Sequence, residues 1–217
     1  MDGLLVTFEG QDGSGKSTLL RLIAEELVAR KIPTIAVPEF SSNIVGEFLK
    51  SIIKKNKFLR LNESKPSAFT ETMYILADLY SQDELDIRPA MKQGKIVLKE
   101  RHVDSLLACQ IPKIMDDYPS EKKNRLFEWL EQASVNLLKP DLTFFLQVRD
   151  KVLKSRIEMR GEIADGNDFI VFRKRMAIYS RIADKRGKRW VILNNEGSFS
   201  SSVQAIVANI QSCRKKI

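Results

Sequence analysis

The segment from Gly10 to Ser17 has the residue types and the spacing of a loop that binds phosphate. It fits the pattern G-x-x-x-x-G-K-[ST], follows an apolar run at 4–8, and precedes leucines and isoleucines at helical spacing. Glycines let backbone N–H groups approach an anion, and the N-terminus of the following helix favours phosphate. We expect Lys16 to reach the β- and γ-phosphates of ATP and the Ser17 hydroxyl to bind Mg²⁺. The predicted nucleotide-binding residues are Gly10, Gln11, Asp12, Gly13, Ser14, Gly15, Lys16, Ser17 and Thr18.

Four more side chains have the chemistry to complete a site for phosphoryl transfer. Glu100 follows an apolar strand pattern, where an enzyme with a phosphate loop places the acid that holds Mg²⁺. Arg101 beside it is suited to bind an acceptor phosphate bidentately. Arg156 and Arg160 flank a polar, glycine-containing segment and are candidates to neutralise charge on the transferred group. The alternative interpretations are an exposed ion pair at the strand end and ordinary helix-surface charge.

The elements that must position these side chains alternate between strand and helix. This order predicts a parallel sheet with right-handed crossovers, and five strands with a phosphate loop after the first indicate a three-layer α/β P-loop kinase fold. We predict one domain over 1–217 with a lid loop at about 156–168, and Pro112 and Pro119 leave 111–118 unassigned. The predicted strands are 4–8, 34–37, 95–99, 142–148 and 190–193. The predicted helices are 17–30, 44–55, 66–81, 83–93, one beginning at 104–110, 121–138, 151–159, 169–185 and 199–213.

Composition narrows the classes of function. The chain of 217 residues is 43% apolar and has no run near the ~20 apolar residues of a membrane span. It begins with a strand pattern and no signal peptide, so we expect a cytoplasmic protein with reduced cysteines at 109 and 213 and no membrane partner. The net charge of +8 is scattered and lacks interleaved aromatic residues. Binding of polyanionic nucleotides is a sufficient explanation for this positive charge, and we expect no nucleic-acid partner.

The sequence around the phosphate loop resembles the thymidylate kinase family. Residues 8–18, FEGQDGSGKST, closely match that family's loop. The resemblance implies a strand order of 2-3-1-4-5, ATP and Mg²⁺, a small-molecule nucleotide substrate and a homodimer. Further matching segments are 100–105, similar to the family's Asp-Arg-Tyr segment, 139–143 at a strand entry, and 172–179, similar to the helix pattern F-x-x-V-R-x-x-Y.

The resemblance also implies roles for individual residues. Gly13 resembles the subclass that supplies its catalytic arginines from the lid, which points to Arg156 and Arg160. In the family, the residue at Asp12 contacts the acceptor sugar hydroxyl and the residue at Arg101 contacts the acceptor phosphate. With Lys16, these three arginines form the predicted catalytic set, and Ser17 and Glu100 form the predicted metal site.

The base pocket departs from the family's pattern. Ile75 stands where a phenylalanine would stack on thymine, and Leu79 stands where an arginine would hydrogen-bond it. Cys109 replaces a tyrosine that lies near the sugar 2′ position. Leu79 cannot donate to a base carbonyl, so thymine selectivity is open although phosphoryl transfer is unaffected. The predicted substrate-binding residues are Asp12, Glu39, Phe40, Ile75, Leu79, Arg101 and Cys109.

Two alternatives accompany the leading hypothesis of a nucleoside monophosphate kinase with dTMP as the first acceptor to test. Val37-Pro38-Glu39 also resembles deoxynucleoside kinases, in which a glutamate at this position takes the proton of the 5′-hydroxyl. The absence of arginine from 38–49, a usual source of acceptor-phosphate contacts, points the same way. The altered base pocket motivates the other alternative, a nucleotide-binding protein without catalysis.

Overall fold

A computed structural model describes residues 3–56, 58–62 and 65–214 of the chain. A five-stranded parallel sheet with the strand order β2-β3-β1-β4-β5 forms its centre, which confirms the predicted fold and order. β1 lies between β3 and β4, with Phe8 paired to both Glu100 and Phe144. The strands are β1 (Leu4–Gly10), β2 (Thr34–Val37), β3 (Ile96–Glu100), β4 (Leu142–Gln147) and β5 (Trp190–Asn194).

Helices cover both faces of the sheet. One face packs on α1 and α9 through residues such as Leu19, Ile23 and Ile206, and the other supports a larger apolar cluster built from α3, α5, α6 and α8. A π-helical turn (Asp83–Ile87) and a 3₁₀ turn (Gly187–Arg189) complete the described elements. The α-helices are α1 (Lys16–Ala29), α2 (Ile44–Lys55), α3 (Ala68–Gln82), α4 (Arg88–Lys92), α5 (Val103–Asp117), α6 (Lys123–Ala133), α7 (Asp150–Glu158), α8 (Gly166–Arg186) and α9 (Phe199–Arg214).

The predicted interruption at Pro112 is wrong, because α5 continues through it to Asp117. An internal proline costs a helix about 3 kcal/mol. Leu107, Ile111 and Ile114 are all fully buried in the large apolar cluster, and full burial of such a side chain stabilises by about 1.5–3 kcal/mol. Packing therefore outweighs the helix-breaking preference of the proline.

No helix within the described ranges is both long and apolar enough to cross a membrane.

The connection between α7 and α8 is shorter than the loop predicted at 160–168. α8 begins at Gly166, because Asp165 forms a capping box with Asp168. Arg156 lies in the last turn of α7 and Arg160 just beyond it. The connection between the two helices therefore spans only 159–165.

Candidate active site

The phosphate loop joins β1 to α1 and is packed from two sides. Gly15 has φ 94° and a Cβ there would lie 2.7 Å from Asn195 Nδ2. Gly13 has φ 82°, and its Cβ would lie 3.1 Å from Ile157 Cγ1 on α7. Residues with a side chain rarely adopt these φ values, so an arginine at position 13 would be strained. The loop conformation thus requires the glycines that the sequence pattern supplies.

Hydrogen bonds to distant parts of the chain hold this loop in place. Asn195, just after β5, donates from Nδ2 to the Ser14 carbonyl at 2.8 Å and accepts from Ser202 at 2.9 Å. Gln11 donates from Nε2 to the Phe172 carbonyl on α8 at 2.9 Å. Asn195 is a site residue that sequence reasoning missed, although its place at the carboxyl end of a strand was an available signal.

Lys16, Ser17 and Glu100 lie close together at the start of α1 and the end of β3. The Lys16 amine is buried and donates to the Gln11 carbonyl at 2.9 Å, and burial lowers its pKa. Ser17 donates from Oγ to Glu100 Oε1 at 2.8 Å. One hydroxyl and one carboxylate are the hard oxygen ligands that Mg²⁺ takes together with water and substrate phosphates. The described residues hold no cluster of three or more His, Cys, Asp or Glu that could bind a metal by themselves.

A cavity of about 300 Å³ opens beside the phosphate loop. This volume is at the lower end of the range for ligand pockets, roughly 300–1,000 Å³. Leu79 does not line this cavity; it lines an adjoining, more apolar space of about 50 Å³. Phe40, Ile75 and Cys109 line both spaces. The predicted residues on the larger cavity are Asp12, Glu39, Phe40, Ile75, Arg101, Cys109 and Arg160.

Arg101 lies at the centre of the charged part of this cavity. Its side chain is buried, Nη2 is 2.5 Å from Asp12 Oδ1, and Nε is 3.3 Å from Glu39 Oε1. Its backbone has φ 54°, an uncommon conformation for a residue with a side chain, which is found most often at functional sites. Burial raises the pKa of Glu39, and Arg101 opposes that effect. The strained backbone thus aims a buried guanidinium at the cavity.

Arg175 is a second buried arginine at this cavity, and sequence reasoning did not single it out. It extends from α8, and its Nη1 is 3.1 Å from the other oxygen of Asp12, Oδ2. Burial alone would raise the pKa of Asp12, but Arg101, Arg175 and Lys16 hold that pKa well below its usual range. The Asp12 carboxylate is therefore ionised and surrounded by cations.

Two further buried groups position the strand ends. Lys99 donates to the carbonyls of Pro38, Glu39 and Glu100 at 2.6, 3.0 and 2.9 Å. Glu9 Oε1 accepts from the His102 backbone N–H at 2.9 Å, and its other oxygen accepts from Ser105. Both side chains are fully buried on strands, so they fix the segments that carry Glu39 and Arg101.

The two predicted lid arginines lie in different places. Arg156 Nη2 donates to the Asn195 carbonyl at 2.8 Å, and its guanidinium lies over the Phe199 ring at 5.6 Å, so it contacts the flank of the phosphate loop. Arg160 lines the cavity beside the phosphate loop. A catalytic role for either one stays a prediction.

Comparison with known proteins agrees with this geometry. The family model described as thymidylate kinase matches residues 8–206. A thymidylate kinase of Roseiflexus castenholzii is 27% identical, over 96% of this chain and 93% of that protein. A thymidylate kinase of Lactobacillus helveticus is 30% identical over 97% of each chain, and one of Exiguobacterium sp. is 31% identical over 75% and 72%. The family-model match spans the phosphate loop, the cavity and the helix that carries Arg175. The chain therefore belongs to the thymidylate kinase family, which consists of ATP- and Mg²⁺-dependent phosphotransferases.

Proposed function

We propose that this protein transfers the γ-phosphoryl group of ATP to the 5′-phosphate of dTMP. The observation that carries this proposal is the buried Arg101 guanidinium at the junction of the phosphate loop and a nucleotide-sized cavity. A buried arginine next to an anion-binding loop is suited to bind an acceptor phosphate. Family membership favours this reaction over both alternatives.

The residues divide the chemistry between charge stabilisation and positioning. The phosphate loop cradles the ATP phosphates, and Lys16 and Arg101 stabilise the charge of the transferred group. Ser17 and Glu100 would hold Mg²⁺, which would supply charge neutralisation at the triphosphate. The proposed lid arginines are Arg160, which lines the cavity, and Arg156, which lies beside the loop at the end of α7.

This reaction needs no general base, because the attacking group is already a phosphate oxygen. His102 is not placed to act as a general base. Its Nε2 contacts the Leu138 carbonyl at 3.0 Å, and burial lowers its pKa to about 4. Glu39 faces Arg101, so its proposed role is to orient the guanidinium and the acceptor.

The apolar space beside the cavity supports a thymine acceptor. Ile75, Leu79 and Leu106 line it, and it is of a size for a small alkyl group rather than a ring. Thymine differs from uracil by its 5-methyl group, and burial of one methyl group is worth about 0.8 kcal/mol. We expect dTMP to be preferred over dUMP about fourfold on that basis.

The homodimer and the cytoplasmic location remain proposals that rest on the family. α2 and α3 present exposed apolar side chains, Ile44, Phe48, Met73 and Tyr74, which would suit a partner. Sedimentation velocity should give a mass near twice 24.8 kDa.

A coupled ADP-release assay with ATP and Mg²⁺ across nucleoside monophosphates and nucleosides tests the function. Turnover with dTMP, and with no nucleoside, is the expected result. Turnover with thymidine alone, abolished by Glu39→Gln, would favour the nucleoside kinase instead. ATP binding without turnover of any acceptor would favour the protein without catalysis.

A further inference from the structure

We infer that Arg175, on α8, is a second ligand for the 5′-phosphate of the acceptor nucleotide. The inference rests on the proposed function, because it requires an acceptor that carries a phosphate. The structure places this arginine on the wall of the cavity beside the phosphate loop, which we call the acceptor cavity.

Arg175 occupies a position on α8 that otherwise suits an apolar side chain. It lies on the buried face of the helix with Phe172, Ile178 and Tyr179. A buried guanidinium is costly unless charges and hydrogen bonds compensate it. Its ring contact with Phe58, at 4.8 Å, and one oxygen of Asp12, at 3.1 Å, compensate it only in part.

The guanidinium keeps a donor available. Its Nε is buried and has no hydrogen-bond partner among the described residues. Arginine presents five N–H donors in a rigid fork, and Nε belongs to an edge that matches the spacing of phosphate oxygens. An anion in the cavity would satisfy this donor.

Arg101 and Arg175 converge on one point from different elements. They contact opposite oxygens of the Asp12 carboxylate, and Lys16 also acts on that carboxylate. Asp12 is shared between the two guanidinium groups, and Glu39 also pairs with Arg101, at 3.3 Å. Both guanidinium groups line the cavity beside the phosphate loop, which is where an acceptor phosphate must stand for transfer from ATP.

The position of Arg175 also accounts for a gap in the sequence. The segment 38–49, which contributes Glu39 and Phe40 to the cavity, contains no arginine. In the helix pattern F-x-x-V-R-x-x-Y, Arg175 takes the valine position and Met176 takes the arginine position. A shift of one residue turns a side chain by about 100° around a helix. The cation is thereby directed into the acceptor cavity, where it replaces a ligand from 38–49.

Arg175→Met tests the inference, because methionine keeps an apolar stem against Phe58. We expect the Kd of dTMP to rise about 10- to 100-fold, as for loss of one charge-assisted hydrogen bond to phosphate, with the inhibition constant of thymidine and the KM of ATP unchanged. Arg173→Met is the matched control, since Arg173 is exposed on the same helix and its loss removes the same charge. Equal weakening of dTMP and thymidine, or no change in either, would overturn the inference.

Two controls separate this inference from the function and from folding. If the wild-type protein neither binds nor phosphorylates any nucleoside monophosphate, the proposed function fails and this inference with it. If wild type is active but Arg175→Met has the same ratio of dTMP affinity to thymidine affinity as wild type, this inference alone fails. Arg175→Lys keeps a cation, and the same ratio of affinities can be measured on it should the methionine variant not fold. We expect its loss of dTMP affinity to be smaller than that of Arg175→Met.

Discussion

A buried ion pair beneath the acceptor cavity gives the most demanding test of these ideas. Lys113 on α5 lies 2.8 Å from Glu71 on α3, and both side chains are almost fully buried. The Lys113 amine also donates to the carbonyls of Phe58 and Leu59, at 2.5 and 2.8 Å. Both residues have positive φ, 62° and 54°, so the lysine holds two consecutive strained residues in place. The ring of Phe58 is the one that supports Arg175.

The magnitude follows from what Lys113→Met leaves behind. Within the part of the chain that the structure describes, Glu71 would remain buried with the Ser67 hydroxyl and the Leu61 backbone N–H as its remaining donors. Removal of one partner from a buried ion pair costs about 3–5 kcal/mol, a large share of the 5–15 kcal/mol by which proteins are stable. With a urea m-value of about 2–3 kcal/mol/M, the unfolding midpoint should fall by about 1–2.5 M.

Urea unfolding followed by tryptophan fluorescence measures this loss. Lys151→Met, an exposed lysine on α7, is the matched control and should change stability by less than about 0.5 kcal/mol. Adding Glu71→Gln to Lys113→Met should restore part of the stability, because no unpaired buried charge remains. We also expect the KM of the acceptor to rise more than that of ATP, since Phe58 lines the acceptor cavity. A Lys113→Met protein within 1 kcal/mol of wild type would refute the reasoning.

Three further predictions concern the loop and the buried network. Lys16→Ala should lose at least about 1,000-fold in kcat with an unchanged unfolding curve, because its amine makes a single loop contact; activity near wild type in the steady-state assay would contradict the proposed mechanism. Asn195→Ala should raise the KM of ATP several-fold and leave the acceptor KM unchanged, since it frees the Ser14 carbonyl; equal effects on both would argue against a loop-specific role. Burial raises the pKa of Glu9 from 4.5 to about 7 and lowers that of His102 from 6.5 to about 4. Between pH 5 and 6.5 the folded chain keeps a Glu9 proton that the unfolded chain has lost, so the contribution of Glu9 to stability falls as pH rises, while that of His102 increases. In urea unfolding of Glu9→Gln, the free energy of unfolding should therefore change with pH by about 1.4 kcal/mol per unit more positively than in wild type. Equal slopes would contradict the assignment.

Local patterns in the sequence predicted much of the fold and part of the candidate site. The phosphate loop, the ends of the strands and the position of Glu100 follow from short segments, because the residue types and spacing in each segment favour one local conformation. Pro112 shows the limit of local patterns. Proline disfavours a helix interior, but the burial of neighbouring apolar residues on α5 outweighs that preference. The pocket prediction was likewise split: Ile75 lines the larger cavity, while Leu79 lies in the space behind it.

What the sequence alone determined about this protein is the chemistry of its nucleotide loop, the strand order implied by family resemblance, and the set of residue types at the sheet edge. Only the tertiary structure decided which distant charges meet. Arg175 and Asp12 are 163 positions apart, and Asn195 and Ser14 are 181 apart. The periodicity of a helix marks Arg175 as buried but cannot name its partner, because that partner depends on how α8 crosses the sheet. The physical reason is that loop and strand signals are local, whereas the pairing of buried charges is a property of packing between elements.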